Sequence, residues 1–325
     1  MLGRILKDIY RGRPAVGASV ADVEASRPAE SFVDEFRRIA ADIELRAREV
    51  RAATNNINTA NVIRLVDFEL DRNSRYNDDR RLLKFGFQVN SQNAEDGMIH
   101  EIFRRIGAGK RIFAEIGISD GTENNTAFLL SQGWTGFWVD GDKTFLRMLG
   151  ARADLQGDCV KSVVSFVTKE NIAGLFGQLG VPEEFDLLSL DIDQNTYYAW
   201  EGLSTYHPRA VVVEYNALLP PDIDWKVHYE SNRVWNGTSN FGASLKAFEL
   251  LGRRLGYELV GCDFIGVNAF FVRSDLVGDR FAPPFTAENH YEPPRYALSH
   301  RRGHRTAILD RPYDDFVSGK SMGGR

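Results

Sequence analysis

The sequence predicts an α/β protein: a doubly wound, mostly parallel sheet of seven strands, preceded by a helical N-terminal extension. Three observations carry this. After Gly109, short apolar runs alternate with helix-length segments, as buried parallel strands and their crossovers do. Two later runs, 256–262 and 266–273, lie too close together for a crossover helix and should pair antiparallel. Before residue 110 the apolar residues recur at helical spacing instead. A chain that is 43% hydrophobic and 26% charged has a globular composition, which excludes global disorder.

The elements follow in order. Residues 1–30, rich in Ala, Arg, Gly and Pro without a sustained period, are expected to form a flexible lead-in. Residues 31–90 make up the helical extension. Phe32, Phe36, Ile39, Ile43 and Leu45 fall at helical spacing behind a start at Ser31 and Glu35. A second helix is expected over 59–70, where Val62, Ile63, Leu65, Val66 and Phe68 recur. Residues 73–81 are almost wholly polar and read as a linker. The main domain is expected over 91–275, opening with an amphipathic helix that carries Met98, Ile99, Ile102, Phe103 and Ile106. Its strands fall at 111–117, 136–140, 162–168, 184–191 and 209–215, with helices near 122–131, 142–154, 169–179 and 195–205. One more helix, 241–256, precedes the hairpin. The tail, 276–325, holds two Pro-Pro pairs and scattered arginines and should wrap the surface or fray.

Charge narrows the function. Forty Lys and Arg against forty-five Asp and Glu give a net charge of −5, which argues against a general nucleic-acid or anionic-membrane binder. Cys159 and Cys262 are too few for a disulfide framework or a zinc site. No run approaches eighteen apolar residues and the start has no signal-peptide pattern, so no membrane span is expected and the location should be cytoplasmic.

The chemistry-bearing segments sit where strands end. The first is Glu115-x-Gly117-x-x-x-Gly121, between a strand and a helix. Glycines there let the backbone turn sharply and approach a ligand, and the helix start beyond it favours an anionic group. An ordinary βα turn would look the same. The second strand ends in Asp140-Gly141-Asp142; an acid there can accept the hydroxyls of a ribose, while Asp142 suits a helix N-cap. The third run ends at Thr168-Lys169-Glu170-Asn171, where an adenine contact or a plain cap would sit. The fourth ends in Asp191-Ile192-Asp193, whose carboxylates share a face if extended, and the fifth brings Glu214 and Asn216 beside them. Oxygen ligands of this kind, Asp191, Asp193, Glu214 and Asn216, suit Mg²⁺ or Mn²⁺; Asp193 is equally placed to cap a helix and Asn216 to satisfy loop backbone. His228, in the long loop 217–240, is the preferred general base, and the alternative is a surface histidine. No Gly-x-Ser-x-Gly elbow or P-loop appears.

Several motifs occur in one order: Ser91-Gln92-x-x-Glu95-Asp96-Gly97, the Glu115 turn, Gly133-Trp134-x-Gly136, Asp191-Ile192-Asp193, Glu214-Tyr215-Asn216, Phe241-Gly242-Ala243-Ser244-Leu245, Gly256-Tyr257-x-Leu259-Val260 and Asn268-Ala269-Phe270-Phe271-Val272. Over about residues 88–275 the combination resembles the S-adenosylmethionine-dependent methyltransferases of the FkbM type, associated with glycan and polysaccharide synthesis. The resemblance implies a class I, Rossmann-like methyltransferase fold. It implies that Glu115, Gly117 and Gly121 hold the methionine part of S-adenosylmethionine, that Asp140 takes the ribose and that Asp191 stands beside the transferred methyl; Asn171, where the third run ends, is the candidate cofactor contact at the adenine. Asp193-Gln194-Asn195 departs from the acid–Gly–acid cluster common in that group. The expected activity is O-methylation of a sugar or glycan precursor, with Asp191, Glu214 and His228 as catalytic residues. The expected partner is a small-molecule or glycan acceptor, and a homo-oligomer is left open. A metal-dependent glycosyltransferase using Asp191 and Asp193, or a non-catalytic scaffold, are the alternatives.

Overall fold

The computed structural model describes residues 29–119, 121, 123–144, 159–298, 313–315 and 320–322. Nearly all of the expected lead-in lies outside these residues, as does most of the helix expected over 142–154.

The chain divides into two units, Met1–Ile57 and Asn58–Arg325. One helix, α1 (Ala29–Arg72), replaces the two expected at 31–45 and 59–70. The intervening residues contain no Gly or Pro, so nothing interrupts the backbone ladder. Ion pairs one turn apart, Arg46 with Asp42 at 2.9 Å and Arg48 with Glu44 at 2.5 Å, support it.

The second unit is built on α2 (Glu95–Ile106), β1 (Ile112–Ile116), α3 (Ala127–Ser131), β2 (Thr135–Asp140), β3 (Val160–Val164), α4 (Ile172–Leu179), β4 (Leu187–Leu190), α5 (Thr196–Gly202), β5 (Ala210–Glu214), α6 (Leu245–Leu255), β6 (Tyr257–Cys262), β7 (Asn268–Arg273), α7 (Ser274–Val277) and α8 (Ala287–His290). A separate antiparallel pair is formed by β8 (Tyr313–Asp315) and β9 (Lys320–Met322). Seven strands form one sheet in the order β3-β2-β1-β4-β5-β7-β6. The first five are parallel, and β7 runs antiparallel to both β5 and β6. The hairpin is therefore present, with its second strand inserted beside β5.

Successive side chains of each strand enter two different cores. Phe113, Trp138, Leu187, Val212 and Phe270 pack with Met98, Ile99 and Ile102 of α2 and Leu129 of α3. Ala114, Ile116, Val139, Leu188, Leu190, Val211, Val213 and Phe271 pack with Phe176, Trp200, Phe248 and their neighbours on α4, α5 and α6. Burial on both faces is why the strands read as continuous apolar runs. Strand order reverses between β1 and β4, which opens a crevice at their carboxyl ends.

Two segments pack more tightly than their polar composition predicts. In the expected linker, Tyr76 is buried and its hydroxyl donates to the buried Glu292 carboxylate at 2.9 Å. Arg75 and Arg81 donate to the backbone carbonyls of Tyr291 and Asn289. The expected tail is likewise packed through its first part, with Phe281, Ala287 and His290 buried. The polar residues of 73–81 serve buried and half-buried partners more than two hundred positions away, which no local reading detects. Tyr76→Phe should cost about 1–2 kcal/mol, because Glu292 loses a donor but keeps Arg295 at 2.9 Å. Urea denaturation measures this, and an unchanged midpoint would mean that the tie contributes nothing.

Candidate active site at the carboxyl edge of the sheet

A cleft of about 990 Å³ opens at the carboxyl ends of β1, β2, β3 and β4. Its floor begins at Glu115, the fourth residue of β1. That carboxylate is buried and accepts from Asn125 N at 2.9 Å, Thr126 N at 3.1 Å and Ser189 Oγ at 3.2 Å, and also from Asn124 Nδ2 and Thr126 Oγ1. Burial raises its pKa against these five donors. Glu115 thus shapes the connection from β1 to α3. By binding two backbone N–H groups there, it keeps 123–126 out of the helix expected to start at 122.

Gly117 follows with φ +83°, in the left-handed region. A Cβ there would lie 1.5 Å from the Asp191 carbonyl oxygen, so only glycine lets β1 pass this close to the end of β4. Gly121 also has positive φ, and its N–H donates to the Ile118 carbonyl at 2.8 Å; it does not line the cleft.

Asp140 ends β2 and lines the cleft, but its carboxylate is already engaged. Oδ2 accepts from Ile118 N at 2.9 Å and Ser119 N at 2.8 Å, and Oδ1 accepts from Asp142 N at 2.7 Å. It clasps the turn after β1 and keeps little free acceptor capacity. Asp142 is exposed, lines the cleft and accepts from Thr144 N at 2.8 Å. Beyond β3, which ends earlier than the expected 162–168, Ser165, Phe166 and Val167 enter the cleft wall. The Phe166 ring is 44% exposed there, a flat face available to an aromatic ligand. Asn171 does not line the cleft: Oδ1 accepts from Thr168 N and Nδ2 donates to the Phe166 carbonyl, both at 2.8 Å.

The acidic residues converge more closely. Carboxylate oxygens of Asp191, Asp193 and Glu214 all lie within 4.8 Å of one another. Burial, reinforced by the Asp193 charge, pushes the Asp191 pKa up to about 6. Burial and then the Asp191 charge hold Glu214 well above the usual carboxylate range, so it carries the shared proton. Burial also raises Asp193, whose backbone is left-handed at φ +55°. Such a conformation in a residue other than glycine marks local strain. No side-chain cap bond is formed at the turn Asp193–Asn195. Asn216 is buried beside this group but committed to the loop, since Nδ2 donates to the Ser239 and Phe241 carbonyls at 2.9 and 3.0 Å.

The loop 217–240 contributes Arg233, Val234 and Trp235 to the cleft. His228 is exposed and is not part of the lining, so the structure does not bring it to the acids. Among the lining residues absent from the expected site are Gln92, Glu95, Asn195 and Asn268. Glu95 accepts from Asn268 Nδ2 at 2.8 Å and Asn93 N at 2.6 Å, and its charge adds to the upward pressure on Asp191. Their sequence signal was the presence of Gln92, Glu95 and Asn268 in the ordered motifs and of Asn195 in the segment that departs from the acid–Gly–acid cluster.

Two properties describe what the cleft can hold. Among its described residues Glu95, Glu115, Glu123, Asp140, Asp142, Asp191 and Asp193 face only Lys143 and Arg233 in opposite charge, so it favours a cation. Of the buried side-chain oxygens without a partner among the described residues, three, Oδ1 of Asn124, Asn195 and Asn268, are acceptors on cleft-lining residues and call for a ligand rich in donors. S-adenosylmethionine, with an ammonium, a sulfonium, two ribose hydroxyls and an adenine amine, fits both. Asp140→Ala should weaken its binding by one to two orders of magnitude, roughly 1.4–2.8 kcal/mol, by releasing the turn after Gly117. Asp142→Ala should change affinity less; calorimetry showing the reverse order would exchange the two roles.

No family model matches the chain, and no curated protein matches it. Among solved structures it is similar to the methyltransferase domain of bacterial CtHen1-C, with 14% identity, a TM-score of 0.35 and coverage of 56% of this chain and 97% of that one. A SAM-dependent methyltransferase from Aquifex aeolicus is similar at 9% identity and TM-score 0.31, covering 66% and 98%. A suspected O-methyltransferase from Klebsiella pneumoniae matches at 15% identity and TM-score 0.29 over 39% of this chain, and the match spans 59% of that chain. These neighbours are methyltransferases; likeness this distant carries no argument about activity. Among the described residues no helix is long and apolar enough to cross a membrane.

Proposed function

We propose that this protein transfers a methyl group from S-adenosylmethionine to a hydroxyl of a sugar or glycan precursor, as an enzyme of the FkbM-like type. The observation that supports this best is the meeting, in one electronegative cleft, of the Gly117 turn with Asp191, whose carboxylate lies within 4.8 Å of that of Glu214 behind it. Gly117 and the turn clasped by Asp140 would hold the methionine and ribose, and Phe166 the adenine. When bound, the cofactor would supply an electrophilic methyl on a sulfonium, open to in-line attack by the acceptor oxygen with the thioether as leaving group. The residues align that oxygen and remove its proton. Asp191 accepts the proton as the C–O bond forms and the C–S bond breaks. Glu214, protonated, orients Asp191. Trp235 on the loop above offers a ring face to a sugar.

The three carboxylates also support a second reading, in which Mg²⁺ or Mn²⁺ bound by Asp191, Asp193 and Glu214 orients the acceptor hydroxyl and lowers its pKa. Asn216 is left out of this set because both ends of its amide serve the loop. Under this reading EDTA abolishes turnover, Mg²⁺ or Mn²⁺ restores it, and Asp193→Asn imitates chelation while cofactor affinity stays unchanged. Turnover indifferent to EDTA removes the metal and leaves Asp191 alone as proton acceptor. In either case His228→Ala should leave turnover within a few-fold.

Calorimetry tests the function as a whole. S-adenosylmethionine should bind without added metal, and UDP-sugars with Mn²⁺ should not. Binding of the UDP-sugar alone would make the chain a glycosyltransferase; binding of neither would make it a scaffold.

A further inference from the structure

We propose that the first unit's helix pairs with the same helix of a second copy of this chain, as a parallel two-stranded coiled coil. The segment 33–57 of α1 spans about 37 Å at 1.5 Å per residue. Ile43, Val50 and Ile57 recur every seven residues and are 63%, 64% and 61% exposed. Ile39 and Ala53 fall at the intermediate positions, four residues before Ile43 and three after Val50, and Phe36 extends the first row by spacing. Large apolar side chains gathered on one stripe of a helix mark a contact surface. A seven-residue period selects the kind of contact, because it keeps one seam facing a partner helix as the two supercoil. Branching at Cβ in Ile43, Val50 and Ile57, at the first core position, favours two strands.

The charges say that the partner is another copy. Segment 33–57 holds five acids, Asp34, Glu35, Asp42, Glu44 and Glu49, and five arginines, Arg37, Arg38, Arg46, Arg48 and Arg51, so its net charge is 5 − 5 = 0 and a copy meets no net repulsion. Arg46 occupies the one core position that is not apolar, and its guanidinium turns to Asp42 on its own helix at 2.9 Å. Orientation follows from the two flanks of the seam. Glu35, Asp42 and Glu49 line one flank, whereas Val33, Ala40, Ala47 and Thr54 line the other. Antiparallel pairing would set acidic flank against acidic flank; parallel pairing sets it against the uncharged one, without repulsion.

The test uses the full chain in analytical ultracentrifugation across the micromolar range. The wild type should sediment as a dimer and Ile43→Lys with Val50→Lys as a monomer. Lysine keeps helix propensity, so circular dichroism and S-adenosylmethionine affinity should not change. For orientation, Ile57→Cys in a Cys159→Ser background should give a disulfide-linked dimer on oxidation, Cys262 being buried. A monomeric wild type, a dimer that survives the double lysine variant, or a cross-link formed only between Phe36→Cys and Ile57→Cys chains would overturn the proposal.

Discussion

Asp191→Asn should lower kcat by roughly 10²–10⁴-fold while S-adenosylmethionine binds about as before. The carboxamide is nearly isosteric but cannot take a proton. In the wild type kcat should rise with pH through about 6, since burial and the Asp193 charge set the ionisation of Asp191 there and only the ionised form is a base. The sign is fixed by the role: a raised carboxyl is protonated and idle below that pH and active above it. Asp191→Asn should flatten this limb. A wild-type profile that is flat between pH 5 and 8, or a variant that keeps full turnover, would remove Asp191 from the proton step. Glu214→Gln separates position from charge, because a neutral amide can still donate to Asp191; its loss should be much smaller.

Gly117→Ala is expected to cost more stability than an added methyl at Gly133 or the other described turn glycines with open surroundings. Two costs combine. A residue with a Cβ at φ +83° pays about 1–2 kcal/mol, and the overlap with the Asp191 carbonyl forces β1 and β4 apart at a further cost of about 1–3 kcal/mol. A total of about 2–5 kcal/mol would lower Tm by roughly 4–20 °C in a domain of this size. The cleft floor would shift with it, so cofactor binding should fall in the molecules that remain folded. Gly133→Ala is the control: its φ is +78°, but nothing lies within 4 Å of the added Cβ, so only the smaller conformational cost applies. Equal melting temperatures for the two variants would show that the approach of β4 to Gly117 is looser than described.

What the sequence by itself determined is local. The apolar runs, their spacing and the short connection between 262 and 268 are sufficient for seven strands and an antiparallel close, because buried parallel strands and tight hairpins restrict residue type position by position. The acids at the ends of β1, β2, β4 and β5 were legible for the same reason, since a strand end delivers its side chain to a known edge. The work each acid does was decided by tertiary structure. Glu115 and Asp140 have the residue type and place of ligand contacts, yet the register of β1 against β2 and β4 turns them onto Thr126, Ser189, Ile118 and Ser119. His228 has the right chemistry, but its loop is tied down around it, with Tyr198 donating to the Val227 carbonyl and Tyr229 to Glu170, and leaves its ring in solvent. Glu95 and Asn268 meet across 173 positions of sequence. Residue type and spacing set which groups a chain can offer, whereas donors, burial and neighbouring charge come from residues distant in sequence, and these set a carboxylate's pKa and role.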